Sequence, residues 1–166
     1  IMDRNFQSCR RYALTFSPSS GNLLFVGGTG LGKTFLSACI ARTVADRGYS
    51  VVYETASHLF SKLEQARFNG TEENRREAAK FSECDLLILD DLGTEMRTAF
   101  THSALYNIIN SRLAAGKKTI VSTNLSASEM EERYTPQVVS RISGEYDTVP
   151  FRGRDIRLIK RERRHS

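Results

Sequence analysis

The sequence predicts an α/β fold with a parallel sheet that is flanked by helices. Short apolar runs alternate with helix-like segments along the 166 residues. This alternation is typical of parallel strands joined by helical crossovers, since both faces of such a sheet are buried. The length fits one domain with a sizeable core. The apolar runs are LLFV at 23–26, SVVYE at 50–54, DLLILDD at 85–91, KTIVST at 118–123 and YDTVPF at 146–151.

Helices are predicted between these runs. The first covers about Asp3 to Leu14, where apolar residues recur three and four positions apart and an aspartate can cap the start. The others end at a glycine or a polar turn. They cover about 33–47, 57–68, 72–82, 100–115 and 126–134.

The excess positive charge lies at one end of the chain. The net charge is +5, and the segment from Arg152 to Arg164 has seven basic and two acidic residues, whereas the remainder is balanced. We therefore expect a domain at 1–151 followed by a basic, solvated tail at 152–166. A nucleic-acid site within the domain would have to be a local patch.

Composition argues against several classes of protein. No apolar run reaches the roughly 18 residues that a membrane helix needs, so no membrane partner is expected. The three cysteines, Cys9, Cys39 and Cys84, lack the spacing of a metal site or a disulfide framework, which favours a reduced, cytoplasmic setting. His58 and His102 also lack metal-ligand spacing and are expected at the surface or in helix caps.

A glycine-rich motif carries the clearest chemical signal. Residues 27–34 read GGTGLGKT, a phosphate-binding P-loop between a predicted strand and a predicted helix. Its backbone N–H groups can converge on an anion at the start of the helix, Lys33 is expected to bridge the β- and γ-phosphates, and Thr34 to bind Mg²⁺. The flanking strand and helix disfavour the alternative, a tight turn with a chance Lys-Thr pair. The predicted nucleotide contacts are Gly27, Gly28, Thr29, Gly30, Leu31, Gly32, Lys33, Thr34 and Phe35.

Two further strand ends carry polar side chains. Asp90 and Asp91 end the run at 85–91, where Asp90 is placed to support Mg²⁺ together with Thr34, and Asp91 to polarise an attacking water. Asn124 follows the run at 118–123, in a position to hydrogen-bond the γ-phosphate or that water. On its own this asparagine fits an ordinary turn residue. Its convergence with the other two strand ends predicts an ATPase with ATP and Mg²⁺ as cofactors.

Three stretches extend this interpretation to a family. NLLFVGGTGLGKTFLSACIA, DLLILDDLGTE and TIVSTNLS resemble the AAA+ ATPases of the DnaC/DnaI helicase-loader group, which includes the IstB transposition ATPases. The resemblance runs from about Arg11 to Arg157. It implies a P-loop NTPase core with a five-stranded sheet of order 5-1-4-3-2 and a nucleotide bound between neighbouring copies. It also implies Walker A at 27–34, Walker B at Asp90 and Asp91, and sensor 1 at Asn124.

The resemblance raises specific expectations about arginines and about rate. Arg141 in QVVSRIS matches an arginine that acts on the neighbouring copy's nucleotide, and Arg112 in IINSRLAAG is the competing candidate. Asp91 stands where many AAA+ proteins have Glu, so hydrolysis is expected to be slow and stimulated by DNA or a partner. With about 15 residues after Phe151, no full lid domain is expected, although Arg157 could approach the nucleotide as a sensor-2 arginine.

The resemblance further implies a path for single-stranded DNA along a helical element after the second strand. The corresponding residues 56–80 offer basic and aromatic side chains suited to phosphate contact and base stacking. The same aromatic side chains could instead pack against the core. The predicted DNA contacts are Lys62, Arg67 and Phe68, with Arg97 and Thr98 in the loop GTEMRTAF.

The function implied is that of an ATP-binding and hydrolysing module of a replicative helicase loader acting in DNA replication. It would assemble with neighbouring copies and bind single-stranded DNA. The helicase-binding region is expected upstream, outside this fragment. The alternatives are an IstB-like transposition helper that acts on duplex DNA, and a nucleotide-switch interaction module with little hydrolysis. A small-molecule kinase is disfavoured because no arginine-rich acceptor lid is present.

Overall fold

The computed structural model describes residues 2–164 and contains a five-stranded parallel sheet. The strand order is β2-β3-β4-β1-β5, and every neighbouring pair runs parallel. This is the predicted order 5-1-4-3-2 seen from the other edge, so that prediction is confirmed. The strands are β1 (Asn22–Val26), β2 (Val51–Thr55), β3 (Leu86–Leu92), β4 (Lys118–Thr123) and β5 (Tyr146–Pro150).

Helices cover both faces of this sheet. Five of them begin after a Thr or Ser whose hydroxyl accepts a hydrogen bond from a backbone N–H of the first turn. The helices are α1 (Met2–Thr15), α2 (Lys33–Asp46), α3 (Ala56–Phe68), α4 (Glu72–Glu83), α5 (Ala99–Ala114), α6 (Ala127–Arg133), α7 (Pro136–Glu145) and α8 (Ile156–Arg164).

The core has two layers because side chains along the central strand β3 alternate between the faces. Leu86 and Ile88 pack with α1 and α2, whereas Leu87 and Leu89 pack with α3, α5, α6 and α7. All four are buried, and each such side chain stabilises the fold by about 1.5–3 kcal/mol. The continuous apolar run at this position is therefore explained by burial on both faces.

Arg112 corrects one of the predictions. Its side chain is fully buried where α5 meets β4. Nε donates to Thr119 Oγ1 at 2.9 Å, and the terminal nitrogens donate to the carbonyl oxygens of Phe81 at 2.9 Å and Lys118 at 2.6 Å. A guanidinium whose donors are used inside the core cannot reach a neighbouring copy, so the alternative interface role of Arg112 is wrong.

The C-terminal segment differs from a solvated tail. Residues 156–164 form α8, and the Ile156 N–H donates to the Gly30 carbonyl at 2.9 Å. The Asp155 side chain packs against the same glycine. The basic side chains of α8 are exposed, but its first turn lies on the P-loop. Residues 165 and 166 of the predicted tail lie outside the described residues.

Residues 2–164 also bear on the predictions about membrane helices, cysteines and histidines. No helix in this range is both long and apolar enough to cross a membrane. Cys9 and Cys84 are buried free thiols, and Cys39 is an exposed one. His58 is exposed and hydrogen-bonds Glu54, while His102 packs edge-on against a tyrosine ring.

Candidate nucleotide-binding site

The loop between β1 and α2 has the backbone conformation of an anion-binding turn. Gly27, Gly30 and Gly32 have φ values of 149°, 77° and 95°, which favour glycine. A Cβ on Gly27 would lie 2.3 Å from the carbonyl oxygen of Phe151. Gly32 caps α2 without a side-chain hydrogen bond, so the first N–H groups of α2 remain available to an anion.

The Lys33 side chain is hydrogen-bonded to the backbone of this loop. This side chain is buried, and Nζ donates to the carbonyl oxygens of Gly27 at 2.5 Å and Gly28 at 2.6 Å. Burial lowers the pKa of the Lys33 ammonium, while the carboxylates of Asp91 and Asp90 act in the opposite direction. A phosphate entering the loop would replace these carbonyl oxygens as the partner of the ammonium.

Asp90 is fixed by three hydroxyl groups. Thr34 Oγ1 at 2.9 Å and the Tyr53 hydroxyl at 2.5 Å both donate to Oδ2, and Ser122 Oγ donates to Oδ1. Burial, followed by the bond to Asp90, raises the pKa of the Tyr53 phenol, which stays a donor. Tyr53 and Ser122 are site residues that the sequence predictions missed. Their only signal is a polar group within a predicted strand.

Asp91 has a strained backbone. Its φ of 55° is the only positive value for a non-glycine residue within 2–164. Such conformations cost on the order of 1–3 kcal/mol and cluster at functional sites. Its N–H donates to Ser122 Oγ at 3.1 Å. Burial and the neighbouring Asp90 raise the pKa of the Asp91 carboxyl, while Lys33 and Arg157 oppose the rise.

Asn124 joins the end of β4 to the P-loop, since its side-chain amide donates to Thr29 Oγ1 at 3.1 Å. Asn124 and Asp91 open into one cavity of about 560 Å³, a size typical of ligand pockets. The predicted contacts Thr29, Gly30, Leu31, Gly32, Lys33, Thr34 and Phe35 all line this cavity. Gly27 and Gly28 contribute instead the carbonyl acceptors of Lys33.

Two segments distant in sequence complete the cavity. Met2, Asp3 and Phe6 line it from α1. Arg157 and Lys160, together with Ile156, line it from α8. The α1 residues were missed by the sequence analysis because nothing in their local pattern distinguishes a cavity wall from a core-facing helix.

Thr34, which lines this cavity, and the buried Asp90 bonded to it fit Mg²⁺. Thr34 and Asp90 offer adjacent hydroxyl and carboxylate oxygens, the ligand types that this ion prefers. Mg²⁺ in phosphate sites takes one or two carboxylates plus phosphate oxygens and water, not a cage of protein ligands. Within the described range, no group of three or more His, Cys, Asp and Glu side chains is arranged to hold a metal.

Arg141, predicted to act on a neighbouring copy, lies exposed on α7. It is not among the residues that line the cavity of its own chain. Its role stays a prediction.

The predicted DNA contacts divide into an exposed pair and a set with internal partners. Arg67 lies over the rings of Phe68 and Phe100, 5.6 Å from each centroid, and Phe68 is 70% exposed. The two rings are 6.1 Å apart. We call Arg67, Phe68 and Phe100 the aromatic patch. Phe100 was not among the predicted contacts, because its meeting with α3 depends on the packing of α5.

The other predicted contacts have partners within the chain. Lys62 Nζ lies 3.2 Å from Glu54 and 3.9 Å from Glu77. Arg97 donates to the carbonyl of Glu132 at 3.0 Å. Thr98 caps α5 in a reciprocal capping box. Contact of these three side chains with DNA stays a prediction.

Comparisons with known proteins agree with this geometry. A family model described as IstB-like ATP binding protein matches residues 4–163. The replicative helicase loader DnaC of Escherichia coli K12 is 27% identical over 134 residues, which cover 80% of this chain and 54% of DnaC. The ATP-binding protein of insertion sequence IS1162 from Pseudomonas fluorescens is 31% identical over 107 residues, covering 64% of this chain and 45% of that protein.

The chain therefore spans about half the length of the curated relatives it matches. The crystal structure of the DnaC helicase loader superposes with a TM-score of 0.80 at 24% identity, covering 90% of this chain and 89% of that one. This similarity shows a shared fold.

Proposed function

This chain belongs to the IstB-like ATP-binding protein family, and we propose that it binds and slowly hydrolyses ATP as the nucleotide-driven module of a helicase loader in DNA replication. One observation carries the proposal. The Thr34 hydroxyl, hydrogen-bonded to Asp90, adjoins Lys33, Asp91 and Asn124, and together they surround one cavity behind a glycine loop.

Phosphate binding falls to the P-loop. Its N–H groups and the start of α2 hold the β-phosphate, and Lys33 exchanges the carbonyl oxygens of Gly27 and Gly28 for phosphate oxygens. Thr34 and Asp90 would hold Mg²⁺, which when bound neutralises charge on the phosphates. Tyr53 and Ser122 keep the Asp90 carboxylate in one orientation.

Hydrolysis requires a water placed between Asp91 and Asn124. Asp91 accepts a proton from this water or polarises the water, and Asn124 orients the water or holds the γ-phosphate. Asp91 reaches one methylene less far than a glutamate would, which is the basis for slow turnover. Arg141 from a neighbouring copy would supply the missing positive charge at the γ-phosphate, an effect of about 10³–10⁵ in related systems.

Single-stranded DNA is the proposed ligand of the aromatic patch. Exposed Phe68 offers a stacking surface, and Arg67 offers a cation beside it. The Escherichia coli relative is named a replicative helicase loader, which supports a replicative helicase as the partner.

A transposition helper is the second candidate function. The similarity to the insertion-sequence protein supports it, together with the match to the family model described as IstB-like ATP binding protein. In that role the chain would act on duplex DNA in support of a transposase. The nucleotide chemistry would be the same, so the form of DNA that is bound distinguishes the two candidates.

The nucleotide proposal is tested by Lys33→Ala, with Lys80→Ala as a control that removes an exposed lysine of α4. Titration with a fluorescent ATP analogue should show binding by wild type and control, and at least tenfold weaker binding by Lys33→Ala. Phosphate release should require Mg²⁺ and stop on adding EDTA. Equal affinity of all three proteins for the analogue would refute the proposal.

The DNA proposal is tested with labelled single-stranded and duplex oligonucleotides in the presence of a non-hydrolysable ATP analogue. Arg67→Ala and Phe68→Ala should each weaken binding to single strands about tenfold, given about 1–3 kcal/mol per stacked base. Arg42→Ala, an exposed arginine of α2, serves as the control for charge. Preference for duplex would support the transposition helper instead.

A further inference from the structure

Glu95 is a buried carboxylate that none of the proposed nucleotide or DNA contacts uses. It lies in the loop after β3, and its side chain is 3% exposed. A buried carboxylate is costly unless it is paired and hydrogen-bonded. Here Oε2 accepts the Gly93 N–H at 2.8 Å, and Oε1 accepts the hydroxyl of Tyr134, which follows α6. The carboxylate thus connects two separate segments of the chain.

Further contacts hold the same two segments together. The Arg133 guanidinium donates to the Glu95 carbonyl oxygen and lies 3.8 Å from Oε1. Gly93 approaches Leu125 so closely that a Cβ on it would lie 2.8 Å from the leucine side chain. We call residues 93–98 the coupling loop. Because Glu95 and Gly93 lie within it, the loop and α6 with its flanking residues form one connected unit.

Both segments of this unit begin next to residues of the proposed nucleotide site. Asp91 lies two positions before Gly93, the first residue of the coupling loop, and Asn124 immediately precedes Leu125. Both residues line the cavity proposed for ATP. The far side of the loop carries Met96, which is 80% exposed, and leads into α5 and Phe100 of the aromatic patch. Of the contacts between this loop and residues 125–134, those with Arg133 and Tyr134 meet at Glu95, while Gly93 also approaches Leu125 and Arg97 donates to the Glu132 carbonyl.

We propose that Glu95 is a positioning residue that couples the occupancy of the nucleotide site to the conformation of the coupling loop. ATP thereby changes how the aromatic patch is presented to DNA, and this DNA part rests on the proposed function. Coupling between two sites is a difference in affinity, typically 5–150-fold, and each ligand affects the other equally. Glu95 touches neither ligand in this proposal and acts through its hydrogen-bond partners.

The loop response is measurable without DNA. The chain contains no tryptophan, so Met96→Trp introduces a single fluorescent reporter on the coupling loop. A non-hydrolysable ATP analogue should change its emission. In the background of Glu95→Gln the analogue should still bind, but the emission change should fall at least fivefold. Glu132→Gln makes the same substitution at an exposed neighbouring position of α6 and should retain the full change.

A second variant separates coupling from folding. Tyr134→Phe removes one hydroxyl from Glu95 and keeps the ring packed against His102. It should reduce the emission change while its circular dichroism spectrum stays that of the wild type. An undiminished emission change in folded Glu95→Gln and Tyr134→Phe would overturn the proposal. So would a Met96→Trp reporter that does not respond to bound analogue in the otherwise unaltered protein.

DNA affinity tests the second half of the coupling. The ratio of single-strand affinities with and without the analogue should be about tenfold in the wild type and approach one in Glu95→Gln. A ratio that stays at the wild-type value in Glu95→Gln overturns the coupling role. If the wild type binds no DNA in either state, the proposed DNA function is refuted, and the tryptophan reporter still decides the role of Glu95.

Discussion

Asp91 is the residue at which stability and proposed function conflict most directly. Its backbone is in the left-handed region at φ 55°, and burial together with Asp90 disfavours its ionised form. The pKa of its carboxyl in the folded protein therefore lies above the value in the unfolded chain. The proposed hydrolysis, however, requires the ionised carboxylate. Strained and partly desolvated groups of this kind are typical of catalytic positions.

Asp91→Asn should consequently raise stability while stopping hydrolysis. Asparagine is tolerated in the left-handed region and carries no charge to desolvate, so we expect a gain of about 1 kcal/mol, or about 2–4 °C in Tm. Phosphate release should fall to background with binding of the ATP analogue retained. Thermal unfolding followed by circular dichroism, combined with a phosphate assay, checks both outcomes.

The stability gain should also depend on pH. Since the pKa is raised in the folded state, the penalty for ionised Asp91 is fully present above the folded pKa and disappears below the unfolded pKa. The Tm difference between Asp91→Asn and wild type should therefore be largest at neutral pH and shrink as the pH falls towards about 4. A difference that grows in acid would contradict the assigned direction of the shift.

At the scale of secondary-structure elements, α5 shows where local patterns mislead. The helix itself is predicted well, because its periodicity and the glycine that follows it are local features. The role of Arg112 near the end of this helix is not predicted well, because an arginine on a helix looks the same in sequence whether it faces a partner or the core. Only the packing of α5 on β4 brings three acceptors around the guanidinium.

Arg112→Ala should therefore destabilise the fold strongly. Removing a buried cation that satisfies the carbonyl oxygens of Phe81 and Lys118 leaves those acceptors unpaired, at a cost of about 3 kcal/mol or more. Arg141→Ala removes an exposed arginine and should change the free energy of unfolding by less than about 0.5 kcal/mol. Urea unfolding of the two variants makes the comparison. Similar values for both would contradict the structural role of Arg112.

At the scale of the whole molecule, the nucleotide cavity is assembled from both termini of the described chain. α1 and α8 both line this cavity, although more than a hundred residues separate them in sequence. The nine-residue α8 is the only helix after β5 within residues 2–164. Its Arg157 and Lys160 bring positive charge to the cavity that the P-loop and Lys33 begin.

The double variant Arg157→Ala/Lys160→Ala should weaken ATP binding by about a hundredfold, because each of the two lost contacts between a cation and a phosphate costs about 1.5 kcal/mol. The control is Arg163→Ala/Arg164→Ala, which removes the same charge from exposed positions at the end of α8. Titration with a fluorescent ATP analogue measures both. Equal weakening in the two variants would indicate a general effect of net charge, not a local one.

The sequence by itself determined the order along the chain of the five strands and of α1 to α6, and the positions of Gly27–Thr34, Asp90, Asp91 and Asn124, whereas α7 and α8 were not predicted as helices. These depend on local spacing: glycines where φ must be positive, apolar runs where strands are buried on both faces, and polar groups at strand ends.

Only the tertiary structure decided which distant side chains meet. Tyr53 and Ser122 reach Asp90 across the register of three strands, Arg112 turns into the core, and Glu95 pairs with Tyr134. The physical reason is that a local pattern restricts backbone conformation, whereas a side chain's partner depends on strand register and helix packing between segments far apart in the chain.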